Sequence, residues 1–269
     1  MIRWLLIVFA GLSGFGLLSR PALAADCPSA GLGLLADRLR AGITAEAVFG
    51  LPREDARWVL YPVTRDLALP DNYVPPDLVR TTAGATAPQG AQPLRRLILP
   101  DLEAMFAAAR ADGVSLAILS GYRSYDAQAN LFRLGVNQQR ARGHDQEQAE
   151  ALANRFRARP GYSQHQLGTT LDLTSPEVDY GLGQRFGESQ AGRWVRERAW
   201  QFGFVLPYTA SGEARTGYAP EPWHVRWVGR ELAAAMQADD YLSRDDRVAD
   251  DYLVALDALL ADRYLSCRP

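Results

Sequence analysis

The chain has 269 residues, with 29 basic against 31 acidic side chains, 3 His and 2 Cys; every basic residue is Arg and Lys is absent. A formal charge of −2 excludes binding driven by counterion release, so no nucleic-acid partner is expected. Missing Lys excludes Schiff-base and P-loop chemistry, and 2 Cys cannot build a thiolate zinc cage, so any catalysis rests on few positions.

Residues 1–24 read as a secretory signal. Arg3 supplies the positive end, residues 4–18 are apolar, and Ala22-Leu23-Ala24 is a small-x-small cleavage site. A retained anchor is the weaker reading, because the apolar run is shorter than the roughly 20 residues that span a bilayer. Gly11, Gly14 and Gly16 also weaken it as a helix. A lipoprotein is disfavoured by Asp26, which precedes Cys27 where a small residue is needed. The expectation is an exported protein of the periplasm or the extracellular cell wall, with no stable membrane insertion once the signal is removed. In such an oxidising compartment Cys27 and Cys267 would pair. That bond closes a loop of about 240 residues, contributing on the order of 5 kcal/mol in the chain-entropy model.

Residues 30–58 read as mostly helical, anchored by Leu34, Leu35, Leu39 and Val48. Pro62, Pro70, Pro75 and Pro76 predict an extended crossing over 61–78, and 83–93 reads as a loop. A helix is predicted over 100–111, where Leu102, Met105, Phe106 and Ala109 form one stripe and Gly113 ends it. A short strand over 114–119 then leads into Ser120-Gly121-Tyr122-Arg123-Ser124. Residues 126–156 read as helix in two pieces, broken near Gly143, with His144 a surface residue beside a capping Asp145.

Over 169–174 the pattern alternates, placing Leu171 and Leu173 on one face and Thr170, Asp172 and Thr174 on the other. A helix over 189–202 and a strand over 204–206 follow. Another strand over 224–228 puts His224 and Arg226 on one face, Val225 and Trp227 on the other. Two acidic helices fill 230–265, their apolar stripes docking on the rest of the domain. Segregated strands and helices of this kind indicate an α+β fold.

Two of the His have suggestive settings. His165 lies on a turn seven residues before Asp172, and His224 follows Glu221-Pro222-Trp223 at the start of a strand. Two His and one Asp form a three-ligand set for zinc that leaves a position open for water, as catalytic zinc requires. Glu221 is a candidate base for that water, and Arg123 a candidate two-pronged donor to a developing oxyanion. Each residue also has a plainer reading: hydrogen-bonded core His, an Asp satisfying turn amides, a solvated Glu, half of a surface ion pair. Trp223 and Tyr122 are candidates to line the cleft, although aromatics beside a site are more often packing. Spacing alone leaves both sets of readings open.

The three motifs together are more specific. Ser120-Gly121-Tyr122-Arg123-Ser124 with Gln128, then Ser163-x-His165-x-x-Gly168-x-x-x-Asp172, then Glu221-Pro222-Trp223-His224, occur in that order. The chain resembles the zinc D-alanyl-D-alanine carboxypeptidases of the vancomycin-resistance type, a group that also includes D-Ala-D-Ala dipeptidases. The resemblance runs from about residue 61 to 229. It implies His165, Asp172 and His224 as zinc ligands, Glu221 as general base and Arg123 as stabiliser of the tetrahedral intermediate. Ser163 and Gln128 match positions that help hold substrate. The implied fold is a small antiparallel sheet carrying the zinc site, flanked by helices, as in D-Ala-D-Ala metallopeptidase and hedgehog-like domains. Two departures bear on specificity: Thr170 stands where the family has a small Ala, and Pro207-Tyr208-Thr209 replaces the usual sequence of that loop.

The expected organisation is therefore a signal peptide at 1–24, an N-terminal helical segment at 25–58, a zinc peptidase domain at 59–230 and a C-terminal helical extension at 231–269. The expected activity is Zn2+-dependent removal of the last D-alanine from peptidoglycan stem peptides. L,D-carboxypeptidase or endopeptidase cleavage of the same stems is the alternative. A non-catalytic wall-peptide binder is the competing class, and it would be expected to have lost Glu221 or Arg123, which this chain keeps. The sequence leaves the oligomeric state open.

Overall fold

The computed structural model describes residues 38, 50–51, 53–81, 85–244 and 248–260. The signal at 1–24, both Cys and most of the segment 25–58 lie outside the described residues.

Helix α1 (Arg53–Val59) leads into the Pro-rich crossing, which ends in strand β1 (Leu78–Thr81). The stretch read as a loop contains two short strands, β2 (Ala85–Thr86) and β3 (Gln92–Arg95). A two-residue strand leaves no periodicity to read. Pro93 reads as a breaker, but β3 pairs only with β1, in an antiparallel two-stranded ribbon where each strand is an edge and Pro is tolerated.

Helix α2 (Leu99–Ala111) buries the expected stripe of Leu102, Met105, Phe106 and Ala109. The next strand, β4, begins later than predicted, at Ala117–Ser120. Helices α3 (Tyr125–Ala141) and α4 (Gln146–Asn154) are each started by a side chain that accepts a backbone N–H: Ser124 from Ala127, and Asp145 from Gln148. They are separated at Gly143, whose φ of 95° is open to glycine. Their mutual contact buries Val136, Ala149 and Ala153.

Strand β5 (Thr170–Thr174), the short helices α5 (Gln184–Glu188) and α6 (Gln190–Arg198), strand β6 (Phe204–Val205) and the one-turn α7 (Glu213–Thr216) follow. Strand β7 (His224–Trp227) precedes the C-terminal helices α8 (Arg230–Ala238) and α9 (Ala249–Leu260). The main sheet has the order β2-β4-β5-β7-β6. It is antiparallel except for the β2–β4 edge pair, which is parallel.

Leu171, Leu173 and Val225 face a single large core shared with α2, α6, α8 and α9. Leu232, Met236, Tyr252, Leu253 and Leu256 belong to that core, so the C-terminal helices dock as their apolar stripes predicted. The opposite face of the sheet is polar yet also buried. There the chain just after α1 crosses it, and Arg226 of β7 donates through Nη2 to the carbonyls of Val59 (3.2 Å) and Tyr61 (2.7 Å). This covering explains why all five residues of β5 are buried although only alternate ones are apolar. Among the described residues no helix is long and apolar enough to cross a membrane.

Candidate active site

The polar face of the sheet holds the candidate ligands, and strand register places them. Asp172 on β5 lies directly opposite His224 on β7, and opposite Ser120 at the end of β4 on its other side. A register irregularity between Ile118 and Ser120 marks this end of β4, just before Arg123. His165 arrives from the single 3-10 turn Gln164–Leu167 that precedes β5, and Gly168, at φ 71°, closes that turn. The positive φ favours glycine at 168, and a Cβ there would also crowd Arg95 Cγ and Leu78 Cδ2 at 3.0 Å, so those side chains would have to shift.

His165 Nε2 and His224 Nδ1 each lie 3.3 Å from Asp172 Oδ1. One donor atom from each of the three residues falls within 4.8 Å of the others, and all three side chains are buried. Hydrogen-bond partners fix which atoms face inward. His165 Nδ1 sits 2.7 Å from the Gly121 carbonyl, which can only accept, so that nitrogen carries a proton and Nε2 is the atom turned towards Asp172. His224 Nε2 sits 3.2 Å from Gln164 Oε1. The Gln164 amide is oriented by its other end, whose Nε2 donates to Asp250 Oδ1 at 3.1 Å. His224 Nε2 is therefore the protonated nitrogen, and Nδ1 faces Asp172 bare.

Asp172 Oδ1 is buried and makes no hydrogen bond. Burial pushes the His224 imidazole down to about 4, so it is neutral at physiological pH. Burial would raise Asp172, but the two adjacent imidazoles outweigh it and hold the carboxyl well below the usual range. Two imidazole nitrogens and a carboxylate oxygen thus converge on one buried point. That is a ligand set for a cation, and the His2Asp chemistry fits zinc.

Two further groups face this set. Glu221 Oε2 lies 3.5 Å from His224 Nδ1, and burial together with the nearby Asp172 charge pushes its carboxyl up to about 8, against the pull of Arg123. A bound dication would lower it again. Arg123 Nη2 lies 3.8 Å from Asp172 Oδ2 and 3.3 Å from Ser120 Oγ. Gln128 and Ser163, expected near substrate, both line the cleft. Gln128 is 1% exposed and spends its amide on the protein, accepting from Arg123 Nη1 at 2.7 Å and donating to the Ala158 carbonyl at 2.6 Å.

The cleft encloses about 260 Å³, and Trp223 lines it while Tyr122 is not among its lining residues. Its remaining walls were not foreseen. Phe156 and Leu182 line it although 56% and 43% exposed, and Arg157, Tyr218 and Gln164 are among its other walls. Tyr208, from the divergent loop, packs its ring 4.9 Å from that of His224. No sequence signal marks these wall residues, because they are gathered from separate loops. Gln164 alone sits inside a motif, where it reads as an unspecified position.

A family model described as VanY, D-alanyl-D-alanine carboxypeptidase, matches residues 91–230. The putative carboxypeptidase YodJ of Bacillus subtilis (strain 168) is 36% identical over 184 residues, covering 68% of this chain and 64% of YodJ. The chain thus spans a little under two thirds of that relative's length. A solved structure of a point mutant of the vancomycin-resistance D,D-pentapeptidase VanY, from a VanB-type cassette and in complex with Zn(II), matches with TM-score 0.58 and 32% identity. The match covers 67% of this chain and 94% of that one. The LdcB LD-carboxypeptidase structure matches with TM-score 0.63 and 32% identity, over 74% of this chain and 87% of that one. With its fold, its motifs and more than half its length matched, the chain belongs to the D-alanyl-D-alanine carboxypeptidase family.

Proposed function

We propose that this chain is a zinc-dependent carboxypeptidase that removes the C-terminal D-alanine from peptidoglycan stem peptides. The observation that carries the reading is the buried convergence of ligand atoms from His165, Asp172 and His224, with Glu221 and Arg123 both turned towards it. The Zn(II) complex of the VanY relative supports the same metal here.

His165 Nε2, Asp172 Oδ1 and His224 Nδ1 would hold the ion, and bound zinc supplies a Lewis acid and a water acidified to near neutrality. Glu221, kept basic by burial, takes the proton of the attacking water and passes it to the leaving amine of D-alanine. Arg123 is the donor to the developing oxyanion, and it is held in place by hydrogen bonds to Gln128 and Ser120 and by the longer ion pair with Asp172.

L,D-cleavage of tetrapeptide stems is the second reading, favoured by the likeness to the LdcB LD-carboxypeptidase. A product assay on pentapeptide, tetrapeptide and free D-Ala-D-Ala, with and without chelator, separates the two. Failure of the zinc-loaded protein to release D-alanine from pentapeptide would sink the first reading. Export is part of the proposal, since the substrate lies outside the cytoplasmic membrane and residues 1–24 have the pattern of a cleaved signal. A Cys27–Cys267 peptide pair in non-reducing mass mapping of secreted material is the expected mark of that compartment, and free thiols would count against it.

A further inference from the structure

The family match ends at residue 230, yet a side chain 20 residues later contacts the residue that orients a candidate ligand. Asp250, in the first turn of α9, is 5% exposed, and its Oδ1 accepts the hydrogen bond of Gln164 Nε2 at 3.1 Å. Gln164 is 1% exposed, and among the described residues its Nε2 has one other acceptor, the Val63 carbonyl at 3.5 Å. An amide side chain has two nearly isosteric orientations. Turned as observed, Gln164 offers an oxygen to His224 Nε2 and leaves Nδ1 bare towards Asp172. Turned the other way, it would point N–H groups at that nitrogen, favouring the tautomer with its proton on Nδ1, the atom needed by the metal.

We propose that Asp250 is a positioning residue for the metal site, holding Gln164 in the orientation that keeps His224 in its ligating tautomer. The C-terminal helix is then part of the catalytic apparatus and not merely a cover for the core. The relay needs an acceptor oxygen on Asp250 and no particular charge. Burial pushes its carboxyl up to about 7, and the nearby Arg226 opposes that rise. Both protonation states leave an oxygen to accept from Gln164. The inference rests on the zinc reading above.

The test is a double-mutant cycle read by zinc affinity of the metal-free protein, in competition with a chromogenic chelator, and by the visible spectrum of the Co(II)-substituted form. Asp250→Ala should weaken zinc binding about tenfold, in the range seen when a partner of a metal-bound His is removed, and should alter the Co(II) spectrum. Asp250→Asn, which keeps an acceptor oxygen, should recover most of the affinity. In a Gln164→Met background Asp250→Ala should have no further effect, because the relay is already broken. Leu256→Ala, in the same helix and fully buried, should lower the melting temperature while leaving zinc affinity unchanged. If alanine at 250 leaves the chain unfolded, Asp250→Leu carries the cycle with the volume restored. Wild-type affinity and spectrum in Asp250→Ala or Asp250→Leu, or an equal loss in the Gln164→Met background, overturns the proposal. A wild-type protein that binds no zinc would instead overturn the zinc reading itself.

Discussion

Arg123 Nη1 and Gln128 Oε1 are joined by a 2.7 Å hydrogen bond, and the Gln128 amide is anchored at its other end to the Ala158 carbonyl. The buried glutamine thus holds the guanidinium at a fixed distance from the ligand cluster. Replacing Gln128 with Leu should leave zinc content unchanged and lower kcat by about tenfold to a hundredfold, since the oxyanion donor is kept but loosely aimed. Metal analysis beside steady-state kinetics checks both halves. A pure rise in KM would assign Gln128 to substrate binding instead.

Glu221→Gln should retain zinc and lose about 10²- to 10⁴-fold in kcat, because only proton transfer is removed. Elemental analysis and turnover on the same preparation decide it. Near-normal activity in this variant would remove Glu221 from the mechanism.

His165→Ala deletes one of three ligands and should empty the site. Dialysis of the wild-type protein against chelator should abolish activity, and zinc should restore it; the variant should not recover at equimolar metal. Full zinc occupancy in His165→Ala would exclude that residue from the ligand set.

Gly168→Ala places a Cβ at φ 71°, against Arg95 and Leu78 at 3.0 Å. It should cost about 1–3 kcal/mol, read as a lower denaturant midpoint. Because Gly168 ends the turn that carries His165, zinc affinity should fall as well. An unshifted midpoint would show that the turn relaxes freely.

Long or strictly periodic elements were legible in the sequence. The stripe of Leu102, Met105, Phe106 and Ala109 is the buried side of α2, and the alternation around Asp172 is the alternation of β5. The three candidate ligands, Glu221 and Arg123 were legible too, because each sits in a short motif whose residues lie within one turn or strand. The pair β2 and β3 was not, since two residues carry no pattern and Pro93 argues against a strand in any position but an edge. The partners that orient the ligands were also hidden. Gly121 contributes a carbonyl, which every residue has, and Asp250 is 86 positions from the Gln164 it meets. Acidic residues near the start of an amphipathic helix ordinarily read as solvated dipole partners, and only tertiary packing shows Asp250 turned inward.

The opposition of Asp172 and His224 across adjacent strands ties metal capture to the assembly of the sheet. Side chains alternate with a period of two, so a one-residue slip of β5 against β7 would present Leu171 or Leu173 to His224 and destroy the donor set. A cation therefore binds the correctly paired chain and not its misregistered forms. Its binding free energy is added to the native state alone, by mass action. A chain refolded with zinc present is therefore expected to reach the paired state in higher yield than one refolded with chelator.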